Sequence, residues 1–233
     1  MTKRYGRLSA LEGVTFSVQP GEVLGVIGPN GAGKTTLFEC LSGVRPATAG
    51  ALLCDGRVMD AAARSALLFY LPDAITPWPA QPVGWVLDYT LGFLRGRAAL
   101  RDEVVESLGL WPLMGAPIGS LSKGERKRAL LAVGLLAPQP VLLIDEPFDG
   151  LDLRQSREAA RALRSHAERG RTLVVSVHQI VEAARLCHRF VLLSEGRVRG
   201  EGTFEDLRAL ARSAAPPQAG VPADLEEVFL ALT

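Results

Sequence analysis

The sequence predicts an α/β fold built on a mostly parallel sheet, and three observations carry that expectation. Apolar, β-branched runs at 23–27 and 141–144 are continuous rather than alternating, the pattern of strands covered on both faces. Strand and helix patterns take turns along the second half of the chain, as in parallel strands joined by crossover helices. The stretch Gly28-Pro29-Asn30-Gly31-Ala32-Gly33-Lys34-Thr35-Thr36 follows the first apolar run and fits G-x-x-x-x-G-K-[ST], a phosphate-binding loop between a strand and a helix.

Taken in order, the elements support this. Val14, Phe16 and Val18 alternate with polar residues and predict a half-buried strand in an antiparallel piece. Pro20-Gly21 turns the chain into strand 23–27. In the loop that follows, glycines let backbone N–H groups turn inward around phosphate oxygens. Lys34 would reach the β- and γ-phosphates of a nucleotide, and the Thr35 hydroxyl would ligate Mg²⁺. Residues 34–42 read as a helix whose positive end faces the loop, with Gly43 placed to end it. Residues 51–54 and 57–58 flank Asp55-Gly56 and predict a hairpin. A strand is expected over 66–71, ending at Pro72-Asp73.

The character changes at Ala74, where a proline-rich stretch through Pro82 excludes regular structure. Helical patterns follow at 83–94, 100–108 and 124–136. Residues 74–137 therefore read as a helical insertion between core segments 1–73 and 138–212. The core resumes with strand 141–144, helix 154–169, strand 172–177, helix 180–186, and strand 190–194 with a turn at Glu195-Gly196. Residues 213–223 read as a flexible linker. Residues 224–233 form a short amphipathic helix, with Leu225, Val228, Phe229 and Leu232 on one face.

Composition bounds the function. The chain has 233 residues, 48% of them hydrophobic, and a net charge of +1, so a nucleic-acid partner is not expected. The cysteines Cys40, Cys54 and Cys187 are scattered without metal-type pairing and read as small core residues in a reducing compartment. The basic start lacks a following apolar stretch, and the apolar run 129–137 is too short to span a bilayer. The expectation is a cytoplasmic chain that works at a membrane only by docking to another protein.

Two further motifs carry chemistry. Strand 141–144 runs into Asp145 and Glu146, and strand C-termini line the ligand crevice of a parallel sheet. Asp145 would hold Mg²⁺, and Glu146 would face the γ-phosphate and polarise the attacking water. Burying two adjacent acids is costly without a cation, which favours this reading over a plain turn. Ser122, with Glu125 three residues later, reads as a helix N-cap with a capping box. A capped helix terminus is also an anion site, so the two roles are compatible.

The phosphate loop, the segment Leu121-Ser122-Lys123-Gly124-Glu125, then Asp145-Glu146-Pro147, Gly150-Leu151-Asp152 and finally His178 occur in one order. In that order and spacing the chain closely resembles the nucleotide-binding subunits of ATP-binding cassette (ABC) transporters. Its two ends look like the bacterial drug-efflux and ABC-2 branch. The resemblance implies a P-loop NTPase core of RecA-like type with an N-terminal antiparallel β subdomain and an inserted helical subdomain. It implies ATP and Mg²⁺ as ligands. It also implies a head-to-tail homodimer, or a heterodimer with a second ABC subunit, docked on a transmembrane permease at the inner face of the membrane. Tyr5 would stack on adenine, or is an ordinary N-terminal aromatic. Ser122 and Gly124 would contact ATP held by the opposite subunit. Glu146 would be the catalytic carboxylate, Asp152 part of the loop crossing the dimer interface, and His178 the switch histidine at the γ-phosphate.

There are departures. Asp73 stands where the family usually has a glutamine that senses Mg²⁺ and the membrane partner. An acid there can still hold Mg²⁺ through water, but it adds negative charge. Lys123 replaces a common glycine and would either attract phosphate or point to solvent. Trp78 and Trp85 lie in the region that receives a helix of the membrane subunit, and read either as anchors of that interface or as buried residues.

Other classes fit less well. Soluble cassettes acting on ribosomes or DNA commonly carry two cassettes or a long coiled-coil insertion, and neither is present. A regulatory module of low turnover would account for Asp73 but not for the retention of Glu146 and His178. A GTPase also fits less well, since Asn30 is the only asparagine and the guanine-reading N-K-x-D motif is absent.

Overall fold

The computed structural model describes residues 1–73, 75–96, 98–178, 180–214 and 224–232. Strands β1 (Lys3–Tyr5) and β2 (Leu8–Leu11) pair antiparallel at the N-terminus. Residues 14–18 form no strand. Their expected alternation is real, because Val14 is buried and Phe16 and Val18 pack partly against the core. Their backbone bonds go elsewhere: the Val14 N–H donates to the Met1 carbonyl and the Ser17 N–H to the Glu201 carboxylate. Side-chain period reports burial, and here no neighbouring strand supplies a ladder.

Strand β3 (Val23–Ile27) leads into helix α1 (Lys34–Ser42), which ends at Gly43 in the left-handed region. Strands β4 (Leu53–Cys54) and β5 (Arg57–Val58) form the expected hairpin. Asp55 (φ 49°) and Gly56 (φ 75°) sit at its tip, as a type I′ turn requires. The strand expected over 66–71 is shorter. Helix α2 (Ala61–Leu67), capped by the Asp60 carboxylate, takes its first two residues, and β6 spans Leu68–Leu71.

Helices α3 (Val83–Leu94), α4 (Arg101–Ser107) and α5 (Lys123–Leu136) follow, joined by short 3₁₀ turns. Strand β7 (Val141–Asp145), helix α6 (Leu153–Glu168), strand β8 (Thr172–Val177), helix α7 (Ile180–Leu186), strand β9 (Arg189–Ser194) and strand β10 (Arg197–Gly202) complete the core. Helix α8 (Phe204–Ala214) overruns the start of the expected linker, whose residues 215–223 lie outside the described ones. Helix α9 (Leu225–Leu232) buries Leu225 and Val228 on the face expected from the sequence. Among the described residues, no helix is long and apolar enough to cross a membrane.

The main sheet has the strand order β10-β9-β3-β8-β7-β6, parallel except for β10. Alternate residues of each central strand face opposite sides. Leu24, Val26, Leu143 and Val174 pack with Leu37 and Phe38 of α1. Val23, Ile27, Leu142, Ile144, Leu173 and Val175 share a larger core with α3, α4, α5 and α6. The helices between β6 and β7 thus join one face of the sheet without a break in the apolar core.

Candidate nucleotide site

The parallel register brings four strand ends to one rim. Ile27 is level with Val177, Asp145 with Ser176, and Leu71 with Ile144. The phosphate loop, Asp73, Glu146 and His178 each leave the sheet from that rim. Gly33, at φ 105°, caps α1 without a side chain, and a Cβ there would lie 2.7 Å from the Ala10 carbonyl oxygen. A Cβ on Gly28 would lie 2.3 Å from the Leu193 carbonyl oxygen. Only glycine fits either place. The first turn of α1 carries no acid, which keeps its positive end suited to an anion.

Lys34 is 6% exposed, and its Nζ donates to the Gly28 and Pro29 carbonyls at 2.7 and 3.3 Å. The same Nζ is 3.4 Å from Glu146 Oε1. Thr35 Oγ1 donates to Asp145 Oδ2 at 2.7 Å, so two hard oxygen groups converge at the helix start. Asp145 Oδ1 accepts from the buried Ser176 hydroxyl. Burial, followed by the nearby Asp145 carboxylate, pushes the Tyr70 phenol well above its ordinary pKa and keeps it a donor towards Asp145.

Glu146 adopts a left-handed backbone, φ 49°, which costs a side-chain-bearing residue about 1–2 kcal/mol. Its surroundings hold it there. The Glu146 N–H donates to Ser176 Oγ at 3.0 Å, and its carbonyl accepts from Lys127 Nζ at 2.9 Å. Glu146 Oε2 lies 2.6 Å from His178 Nδ1. The Glu146 carboxylate therefore bridges a lysine and a histidine at the rim. Asp73 lies beside them, with its carboxylate paired to the ammonium of Lys127.

An open cavity of about 680 Å³ runs over Lys34, Asp73 and Glu146, large enough for a nucleotide, while His178 does not line it. Tyr5, Pro29, Asn30, Gly31, Gly33, Thr35, Thr36, Asp73, Asp145 and Glu146 line it, together with Ser9, Ala10, Glu195 and Gly196, which sequence reasoning missed. Those four come from β2 and the β9–β10 turn, whose proximity to the loop only the fold reveals. The Tyr5 ring is half-exposed at the cavity edge, with Lys3 Nζ and Arg45 Cζ at 5.0 and 5.5 Å from its centroid. Ala32 is not at the cavity wall but is buried beneath the loop. Ser176 was also missed, although a serine in an otherwise apolar strand end was a readable signal.

Ser122, Gly124 and Asp152 lie outside this cavity. Ser122 caps α5 with the full capping box: its Oγ accepts from the Glu125 N–H and the Glu125 carboxylate accepts from the Ser122 N–H. Asp152 caps α6 in the same way with Gln155. Gly124 is pressed against the segment before α6, where a Cβ would lie 2.8 Å from the Gly150 carbonyl oxygen. Lys123 is exposed and does not line the cavity; its Nζ pairs with Asp149 at 2.7 Å. That pairing holds the Asp149 carboxyl below the usual carboxylate range.

Trp78 and Trp85 are both exposed, at 44% and 42%, rather than buried. Trp85, Tyr89 and Phe93 recur every four residues along α3, with stacked rings 5.0 and 5.8 Å apart. Trp78 sets its edge on Trp85 and Tyr89. Together they make a continuous aromatic strip on the helical segment.

Comparison with known proteins points the same way as the geometry. The family described as "ABC transporter" matches residues 11–149. A shorter match, to "AAA domain, putative AbiEii toxin, Type IV TA system", covers residues 115–184. The chain is 35% identical over 209 residues to the Nod factor export ATP-binding protein I of Burkholderia pseudomallei, spanning 86% of this chain and 68% of that protein. It is 37% identical over 216 residues to the hemin import ATP-binding protein HmuV of Pseudomonas aeruginosa, spanning 88% and 85%. A solved ATP-binding subunit of an ABC transporter superposes with a TM-score of 0.86 at 25% identity, covering 99% of this chain and 96% of that one.

Proposed function

This chain belongs to the ABC transporter family, and from that premise we propose how its ATP-binding subunit works: two copies close head-to-tail around two ATP molecules and drive a separate membrane subunit. ATP binding and hydrolysis come with the family. The observation that carries the residue assignment is the contact of Glu146 with both Lys34 and His178 at the rim where the phosphate loop begins.

ATP would lie in the cavity with its phosphates on the loop from Gly28 to Thr36 and its adenine over Tyr5. Backbone N–H groups of the loop and α1 bind the phosphates. Lys34 exchanges its carbonyl partners for phosphate oxygens. Glu146 accepts a proton from, or orients, the attacking water, and His178 stabilises the γ-phosphate as charge develops. The Thr35 hydroxyl and the Asp145 carboxylate suit Mg²⁺, which takes few protein oxygens beside phosphate and water. When bound, it would neutralise charge on the phosphate oxygens. Asp73, the third oxygen donor expected from the sequence, faces the same cavity, although Lys127 engages it.

Ser122, Gly124 and Asp152 contribute nothing to the cavity of their own copy. Ser122 and Asp152 cap exposed starts of α5 and α6, and Gly124 packs between them against the Gly150 carbonyl, which supports a role for this face on the nucleotide of the opposite copy. The aromatic strip supports docking of a membrane subunit against the helical segment, at the inner face of the membrane. Large rigid aromatics suit the anchor positions of such an interface. Similarity to both an exporter and an importer component fits a cassette whose cargo and direction are set by its partner.

The direct test is phosphate release from ATP by the purified chain, with its membrane subunit where that is required. Turnover should vanish on chelating Mg²⁺ and in Glu146→Gln, while Glu146→Gln still binds ATP. Turnover that persists in Glu146→Gln would remove Glu146 from its role.

A further inference from the structure

Lys127 lies one turn beyond Lys123 on α5 and is 6% exposed. Its ammonium meets the Asp73 carboxylate, just past the end of β6, and the Glu146 carbonyl, 2.9 Å away just past the end of β7. A buried ammonium is stable only with such partners. The consequence for Glu146 is specific. Its peptide is held at both ends, the N–H by Ser176 Oγ of β8 and the carbonyl by Lys127 of α5. Between those two anchors the residue keeps its left-handed backbone, and its carboxylate reaches Lys34 and His178. Backbone strain that persists at a reacting group because its surroundings over-determine it is a mark of function.

We propose that Lys127 is a positioning residue for Glu146, and that Asp73 serves as counter-ion to Lys127 rather than as a ligand of the metal. The ammonium aims the carboxylate by fixing the peptide that bears it. Asp73 neutralises the ammonium, so the acid adds little net charge beside the phosphates. Because Lys127 rides on the helix that Ser122 caps, a shift of that helix also shifts the aim of Glu146. The inference rests on Glu146 being the carboxylate that activates water. Glu146→Gln tests that premise separately, by losing turnover while keeping ATP.

The experiment compares Lys127→Met, Lys127→Arg, Asp73→Asn and the double variant Asp73→Asn/Lys127→Met in the full chain. Two quantities are read: steady-state ATP hydrolysis, and the affinity of Mn²⁺ for the ATP-bound protein by electron paramagnetic resonance. For Lys127→Met, kcat should fall about tenfold or more while KM for ATP stays within about threefold, since a group acting only on water activation leaves binding alone. Lys127→Arg should recover part of kcat by returning a cation. Asp73→Asn should lower kcat by less and leave Mn²⁺ affinity within about twofold. The double variant should be no slower than Lys127→Met, because Asp73 acts through Lys127. A tenfold or greater loss of Mn²⁺ affinity in Asp73→Asn would make Asp73 a metal ligand and overturn the assignment. Unchanged kcat in a folded Lys127→Met, or a rise in KM that accounts for the whole loss, would overturn the positioning role. If Lys127→Met does not fold, the Lys127→Arg kcat and the Asp73→Asn affinity decide the matter by the same criteria.

Discussion

Lys34 is held by two loop carbonyls and a carboxylate at the bottom of a cavity, and no other cation of the phosphate loop can take its place. Lys34→Ala is expected to lower kcat/KM for ATP by about 100-fold or more, the usual loss when one preorganised electrostatic contact to the reacting group is removed. Phosphate release measures it. Ser176 has two partners at once, Asp145 Oδ1 and the Glu146 N–H, inside a fully buried strand end. Ser176→Ala should destabilise the fold by about 1–3 kcal/mol, because both partners lose a buried hydrogen bond. Thermal unfolding checks this, and turnover should fall with it. Asp149 has a sign that can be worked out. Lys123 lowers its folded-state pKa, so the pair stabilises above the ordinary carboxylate pKa and fades as pH falls through the lower folded value. Asp149→Asn should therefore melt closer to wild type at about pH 3 than at about pH 7.

At the scale of elements, the start of α1 is where backbone geometry and the phosphate loop coincide. Gly33→Ala would place a methyl on a φ of 105° and against the Ala10 carbonyl, so the loop must move and ATP binding should be lost. A nucleotide-fluorescence titration would show it, and retained affinity would mean that the loop tolerates the shift. Much of this level was legible in the sequence. Helix 83–94 and strand 172–177 were readable to their bounds, because the first starts just after a proline and the second is a β-branched, mostly apolar run. Strand 14–18 was misread because alternation records which side chains are buried, not whether a neighbouring backbone is present. Helix α8 was missed although Thr203 and Asp206 spell out a cap, with each side chain bonding the other's backbone N–H. The site was legible as motifs in a row. Its fine structure was not, because the charges that set Asp73 and Lys123 come from α5 and from the loop before α6, far away in sequence.

On the scale of the whole molecule, two exposed features beyond the nucleotide cavity bear on partners. One is the aromatic strip, whose outermost ring, Phe93, is 72% exposed. Trp78→Ala is expected to leave ATP binding intact and to weaken co-purification with the membrane subunit; undiminished co-purification would remove Trp78 from that interface. The other is the start of α5, where Ser122 is exposed and lies outside the cavity of its own copy. We propose that this face closes over the ATP of a second copy. The most direct measurement of that closure is the solution mass of Glu146→Gln by size-exclusion chromatography with light scattering, with ATP and Mg²⁺ and again with ADP. A doubled mass with ATP alone, abolished by Ser122→Arg, is the expected result. A monomeric mass under both conditions, in protein that demonstrably holds ATP, would contradict the claim.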